Sequence, residues 1–513
     1  MRISNHMLAF LDDKYNLGFL ITLFLGVFIR LKYLFIESVW HDEATYMWQA
    51  SQLLNPSYIG VRIREPVVLV VMAFNKLFAD PFIAGRITAL AFALLGIILI
   101  YYLGIELKDR FVGLMAAMLL TFHHLFWFLN EKMILDAPLT TMFIFIAYLL
   151  FKVEKQEKSS SAKSVKQIIE KHFLALTLGS VLVLTFLTKG AGILALVILL
   201  LYFVFTRRMS VIRDTKVVYS IVVPVVFLVL GSAVYYLLFG KFVLNTFFVY
   251  LFSMRSITQP FNFVGILPFV LSAPILILTI IGMFFAIMYR RKTDIYLLLW
   301  FWVYFIFFSV NIGGPLPRYI LPILPAAILF SVLALDEIRI YFKRLLGLKL
   351  PRVVFIVIIA IVCFSLFNQG QNMILDKEYS YLGFEEAGDW LSYNLPDGAI
   401  LFAGSPAAIR LFSGFEYINV GYAENYGDPN GQLYYGMPKE VNDFEVLINQ
   451  YDDVYLEIDV WEYANQGWAY PLNQEKVDYL YSLGFEVVHV VEKTIPTDAG
   501  LQKIPVVFIF HRK

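Results

Sequence analysis

Two acids stand side by side at Asp42 and Glu43, in the stretch Trp40-His41-Asp42-Glu43-Ala44-Thr45-Tyr46. They follow an apolar run from Leu17 to Ile36. Such a run of ~20 residues, rising 1.5 Å each, crosses the hydrocarbon of a bilayer. The pair therefore sits where a membrane span ends, a depth at which charge is expensive and usually retained for a purpose. A carboxylate placed there can take a proton from an incoming hydroxyl or amine. Asp42 is equally suited to cap the helix that follows it. Neighbouring helical positions point ~100° apart, so the two acids are not expected to share one proton.

A second set of polar residues falls at the ends of later apolar runs: Arg64-Glu65-Pro66, Arg86, Glu131-Lys132, Asp136-Ala137-Pro138, Thr188-Lys189-Gly190, Arg255 and Pro317-Arg318-Tyr319. Cations at headgroup depth suit a phosphate whose hydrocarbon tail stays in the bilayer. Arg grips such a group bidentately and Lys acts as a point charge. With carboxylates nearby, the combination describes group transfer from a lipid phosphate to an acceptor. For a sugar donor the transition state is oxocarbenium-like, and cations stabilise the departing phosphate. Each residue also has a plainer use. Asp136 fits a helix cap with Pro138 in the first turn, Glu131-Lys132 a solvated ion pair, and Lys189 a snorkelling anchor. Arg318-Tyr319 and Arg86 fit interfacial anchors. His123-His124, on differently facing positions of one run, reads as a hydrogen-bonded packing feature rather than a metal site.

The chain that must position these groups is 513 residues long, 59% hydrophobic and 17% aromatic, with a mean hydropathy of +0.71. That is too apolar for a soluble globule. Apolar runs at about 17–36, 84–104, 112–129, 137–151, 173–187, 190–206, 217–238, 264–289, 294–310, 317–335 and 352–368 predict a polytopic α-helical membrane protein of about eleven spans. With the N-terminus in the cytosol, the alternate loops on that side hold 22 of the 33 Lys and Arg of residues 1–369, as the positive-inside rule requires. Asp42 and Glu43 then face the outer side, and so do residues 370–513. The first apolar run lacks a following cleavage site and reads as a retained anchor.

Residues 1–369 carry net charge +15 and residues 370–513 net −14. The two parts are read as a membrane domain (1–369) and a soluble extracytosolic α/β domain (370–513). In the latter, strands are expected at 399–403, 454–458, 485–491 and 506–510, and helices at 384–394 and 473–483. The outer connection 37–83 is expected to hold two helices lying in the interface, over 42–54 and 66–78. The 66–78 stretch is too short to span, and counting it as a span would place the Lys-rich 152–171 segment outside. The tail has few cations, so no nucleic-acid partner is expected. The one cysteine, Cys363, excludes an intrachain disulfide.

The order of these features resembles the GT-C superfamily of polyprenyl-phosphate-sugar-dependent glycosyltransferases, in particular the branch of protein O-mannosyltransferases and lipid A aminoarabinose transferases. The matching pieces are Asp42-Glu43-Ala44-Thr45-Tyr46, the turn Arg64-Glu65-Pro66-Val67, Asp136, Thr188-Lys189-Gly190 and Arg318-Tyr319-Ile320-Leu321-Pro322. The likeness covers roughly residues 17–368. It departs at Glu65, where the family places a proline. The tail has no Trp-Trp-Asp-Tyr-Gly-type motif of the oligosaccharyltransferase branch.

That resemblance implies a membrane glycosyltransferase moving one sugar, with inversion, from a polyprenyl-phosphate donor to an extracytosolic protein, lipid or glycan acceptor. It implies Asp42 as the base, with Glu43 supporting it or binding acceptor or metal, and Asp136 across the cavity. Arg64, Lys189, Arg255, Arg318 and Tyr319 would hold the donor phosphate. A divalent cation, Mg2+ or Mn2+, is compatible with the carboxylates but not demanded by their spacing. The competing reading is a transporter or flippase for lipid-linked sugars, in which the same charges line a path; no internal repeat supports it.

Overall fold

In hydrocarbon a backbone must satisfy its own hydrogen bonds, so long apolar runs resolve into helices. The computed structural model describes residues 13–52, 66–155, 165–207, 214–239, 262–312, 314–346, 352–396, 399–414, 445, 448–461, 472–497 and 500–513. Its first helices are α1 (Lys14–Tyr33), α2 (His41–Gln52), α3 (Pro66–Phe78) and α4 (Pro81–Leu107). Next come α5 (Arg110–Phe122), α6 (His124–Asn130), α7 (Asp136–Lys155) and α8 (Val165–Thr188). They are followed by α9 (Ile193–Arg207), α10 (Thr215–Phe239), α11 (Phe263–Leu271) and α12 (Ala273–Tyr289). The helical part closes with α13 (Lys292–Asn311), α14 (Leu324–Leu346) and α15 (Arg352–Leu375).

All eleven apolar runs are helical. Among the described residues eight helices are long and apolar enough to cross a membrane, and the total reaches ten if each of two bent pairs is one span. The run at 112–129 breaks at His123, where α5 and α6 diverge by 61°, and the run at 264–289 breaks at Ser272, where α11 and α12 diverge by 107°. The run at 173–187 is the apolar part of α8, His172–Thr188, which is shorter than a span. The protein is an integral membrane protein whose helices carry a small C-terminal sheet domain.

Two compact units divide the chain: Met1–Tyr33, Arg64–Val67 and Ala89–Met373 form one, and Leu34–Ile63, Val68–Thr88 and Ile374–Lys513 the other. In the first, α12 packs on α14 so closely that a Cβ on Gly282 would lie 2.3 Å from the Phe330 carbonyl. Thr279 donates to the Ala327 carbonyl, and its hydroxyl lies 3.1 Å from that of Ser331. Small residues with hydroxyl bridges are how helices associate where hydrocarbon offers no hydrophobic drive. Cations of the loops are paired: Lys108 with Asp336 and Glu337, Lys152 and Lys155 with Glu106, Arg207 and Lys292 with Glu154.

The second unit holds α2, most of α3, the start of α4, and the C-terminal sheet. Its later elements are α16 (Phe384–Asn394), β1 (Ile400–Ala403), α17 (Pro406–Ser413), β2 (Val454–Asp459), α18 (Gln474–Ser482), β3 (Glu486–Thr497) and β4 (Gly500–Arg512). The strand order is β1-β2-β4-β3. β1 runs parallel to β2 (Ile400 opposite Val454), and β2 antiparallel to β4 (Leu456 opposite Phe510). β3 and β4 form a hairpin closing at Thr497 and Gly500. The expected strands are all present, but the last two are ends of this longer hairpin, and α17 was not anticipated. Phe402, Ile448, Val454, Leu456, Ile458, Leu480, Phe485 and Phe510 make the core. Every position of β2 is buried, including Glu457 and Asp459.

Candidate active site

Lys189 stands between α8 and a single 3-10 turn, Gly190–Gly192, in extended backbone at φ −155°. The sequence forces this break. The Gly192 amide donates back to the Lys189 carbonyl at 2.7 Å, and a Cβ on Gly192 would come within 2.2 Å of the Thr185 carbonyl. The lysine side chain reaches Asp136 and the ring of Tyr319. Its ammonium donates to Asp136 Oδ1 at 2.7 Å, with the carboxylate nearly buried (5% exposed) and the lysine 28% exposed. Asp136 opens α7, and the Leu139 amide is already taken by the Leu135 carbonyl. The carboxylate thus serves Lys189.

Tyr319 brings in the third component. The segment Pro317–Ile323 is a 3-10 turn, and Tyr319 stacks on Phe308 of α13 with ring centroids 6.1 Å apart. Lys189 Nζ lies 5.5 Å from the Tyr319 ring centre and the Arg318 guanidinium 5.6 Å from it. Two cations thus converge on one aromatic ring, beside one carboxylate. Four of the residues read from the sequence, Asp136, Lys189, Arg318 and Tyr319, form one cluster. Partly exposed and positively biased, it can hold an anion such as a phosphate.

Asp42 and Glu43 belong to the other unit. They diverge as adjacent helical positions must: Asp42 is half-buried, whereas Glu43 is fully buried. Glu43 Oε1 accepts from Arg86 Nη2 at 2.8 Å and from the Trp40 amide at 3.4 Å. Arg86 also donates to the carbonyls of Leu34 (2.9 Å), Glu37 (3.1 Å) and Ser38 (3.1 Å). Arg86 is therefore no interfacial anchor. It is a buried clamp that ties the start of α4 to the segment entering α2 and to α2 itself. Trp40 is fixed as well, its indole N–H donating to Glu37 at 2.6 Å. These interactions set where the first turn of α2, and hence Asp42, is held. The signal for Arg86 in the sequence was a cation inside an apolar run.

Glu131 and Lys132 correct a second expectation. Both are buried, at 1% and 0% exposure, rather than solvated. Lys132 Nζ donates to the Phe128 carbonyl at 3.2 Å and lies 3.6 Å from the centre of the Phe128 ring. His123 and His124 sit at the α5–α6 break, rings stacked 4.6 Å apart. His124 Nε2 is 2.8 Å from the Phe269 carbonyl near the α11–α12 break, so the two rings pack together and His124 is hydrogen-bonded. Arg64 and Arg255 lie outside the described residues. Among the described residues no three of His, Cys, Asp and Glu gather as a metal ion would need.

The arrangement as a whole has counterparts. ArnT of Cupriavidus metallidurans in its apo state superposes with a TM-score of 0.64 at 16% identity, covering 96% of this chain and 97% of that one. The same protein bound to undecaprenyl phosphate gives 0.63 at 16% identity with the same coverage. An Archaeoglobus fulgidus oligosaccharyltransferase tethered to an acceptor peptide gives 0.60 at 13% identity, covering 96% and 74%. This chain shares its fold with both of these proteins. Residues 66–236 match the family model described as dolichyl-phosphate-mannose-protein mannosyltransferase. Among curated proteins, none matches the sequence.

Proposed function

We propose that this protein is a glycosyltransferase that moves one sugar from a polyprenyl-phosphate donor to an extracytosolic protein, lipid or glycan acceptor, inverting the anomeric centre. The observation that carries the reading is the cluster Asp136–Lys189–Arg318–Tyr319, two cations and one carboxylate around a ring. Lys189, Arg318 and Tyr319, with Arg64 and Arg255, hold the donor phosphate. As the bond from the anomeric carbon to the phosphate oxygen breaks, these groups take up the charge left on the polyprenyl phosphate. The acceptor hydroxyl or amine forms the new bond to that carbon and gives its proton to Asp42. Asp136 orients Lys189, and Glu43, held by Arg86, supports Asp42. In the same reading the N-terminus is cytosolic and residues 370–513 form the extracytosolic domain.

The likeness to ArnT bound to undecaprenyl phosphate and to an archaeal AglB complexed with an inhibitory peptide and a dolichol-phosphate supports a lipid-phosphate donor. The test is Asp42→Asn in purified, folded protein: transfer falls by about 10²–10⁴-fold, the usual contribution of a general base. Undiminished transfer removes Asp42 from the mechanism. One observation favours the transporter reading: two broken helices meet through His124 and the Phe269 carbonyl, and broken helices are common in transporters. Mass analysis of the acceptor after incubation with donor lipid separates the two. A mass gain of one sugar supports transfer, and movement of intact donor without it supports the flippase.

A further inference from the structure

The helix that carries Asp42 is gripped by the C-terminal part of the chain. Within the second unit α17 packs on α2, and Arg410 of α17 lies with its guanidinium carbon 3.5 Å from the centre of the Trp48 ring. Trp48 is 4% exposed, so the contact is largely withdrawn from water, where cation–π attraction is strongest. The other end of α2 is approached from the same part: Tyr381 packs on Trp40 with centroids 6.0 Å apart, and on Trp461 at 6.4 Å.

α17 is itself fixed at its start. Ser405, the residue before it, donates its hydroxyl to Asp459 Oδ2 at 2.7 Å and its amide to Glu457 Oε2 at 3.2 Å. Both acids are buried on β2, and Asp459 also accepts from the Trp461 amide at 2.6 Å. A rigid strand thus anchors a short helix whose far end, through Arg410, presses on the Asp42 helix.

We propose that Arg410 is a positioning residue for the proposed transfer reaction, holding α2 through Trp48 so that Asp42 keeps its working orientation. It rests on that functional reading, and it makes the C-terminal domain a part of the catalytic apparatus. His41, the first residue of α2, registers the proximity. Burial lowers its pKa, Asp42 opposes the shift, and the Arg410 charge adds to it.

The experiment compares Arg410→Ala, Arg410→Lys, Trp48→Leu and the double variant Arg410→Ala/Trp48→Leu in the purified full chain, with Lys503→Ala, at an exposed hairpin site, as control. Arg410→Ala lowers kcat per folded molecule by about tenfold, with the donor KM within about twofold. The amides of 41–52 lose hydrogen-exchange protection while those of β2 keep it. Arg410→Lys restores most of kcat, and Arg410→Ala adds little to Trp48→Leu. An Arg410→Ala protein that melts earlier but turns over normally would overturn the assignment, as would an equal loss in the Trp48→Leu background. If the wild-type chain transfers no sugar from any polyprenyl phosphate, the functional reading fails and hydrogen exchange alone decides. Unchanged protection of 41–52 in Arg410→Ala then rejects the grip, and lost protection supports it.

Discussion

Asp136–Lys189 and Glu43–Arg86 are built from the same components, one carboxylate and one cation, 2.7 and 2.8 Å apart. Their surroundings differ. Both members of the Glu43–Arg86 pair have 0% side-chain exposure, whereas Lys189 keeps 28% of its side chain open. Arg86 also donates to three backbone carbonyls, while Lys189 sits over an aromatic ring with Arg318 beside it. A closed pair cannot exchange its partner without leaving a buried charge. An open pair can release its carboxylate in favour of a phosphate. The first is suited to holding a helix, the second to holding a substrate.

The largest expected effect separates these uses. Arg86→Ala leaves Glu43 buried and uncompensated, which costs about 3–5 kcal/mol. The protein should melt far earlier in detergent or fail to accumulate, and Glu43→Gln in the same chain should recover part of the loss. Lys189→Ala should do the reverse. Its melting temperature stays close to wild type while transfer falls by about 10²-fold, a loss typical of removing one charge-stabilising group. Lys189→Arg should retain part of the activity. Equal damage to stability from both variants would erase the distinction between the pairs.

A third pair, the two acids Glu457 and Asp459, is buried like the first. Burial, with Asp459 beside it, holds the Glu457 carboxyl well above the usual carboxylate range. A group whose pKa is raised on folding contributes stability that is fully present below its unfolded pKa and lost as pH rises through the folded one. Glu457→Gln keeps an acceptor for the Ser405 amide and removes the need for a proton. It should stabilise the protein by about 1 kcal/mol at mildly alkaline pH and flatten its loss of stability with rising pH, read from melts across a pH series. The smallest effect concerns metal. Lys189 and Arg318 already supply the positive charge that Mg2+ or Mn2+ supplies in metal-assisted sites, so EDTA should leave transfer within about twofold. A steep loss restored by either ion would reassign the open pair as a metal-assisted site.

Much of the fold was legible because the bilayer imposes a simple rule on sequence. A run of apolar residues is a helix wherever it falls, and Asp136–Lys155, Lys292–Asn311 and Arg352–Leu375 appear where hydropathy placed them. The alternation of strand and turn residues likewise located β1 and β2 to within a residue or two. The breaks at His123 and Ser272 were not legible, since hydropathy is blind to backbone direction. Site residues were recognised by type and by order along the chain: Asp136, Lys189, Arg318 and Tyr319 as candidates for one cluster, Asp42 and Glu43 as acids at a threshold.

Composition and spacing determined that the chain enters a membrane, where its helices run, and which ionisable groups are too costly to be accidental. They left open which of those groups are paired, because pairing joins residues as distant as Glu43 and Arg86 or Asp136 and Lys189. Tertiary structure decided that Glu131 and Lys132 are buried, that Arg86 is a clamp, and that Arg410 reaches Trp48. The physical reason is that a charge's role depends on the partners and solvent around it, and those are properties of packing, whereas the tendency of an apolar run to become a helix is local.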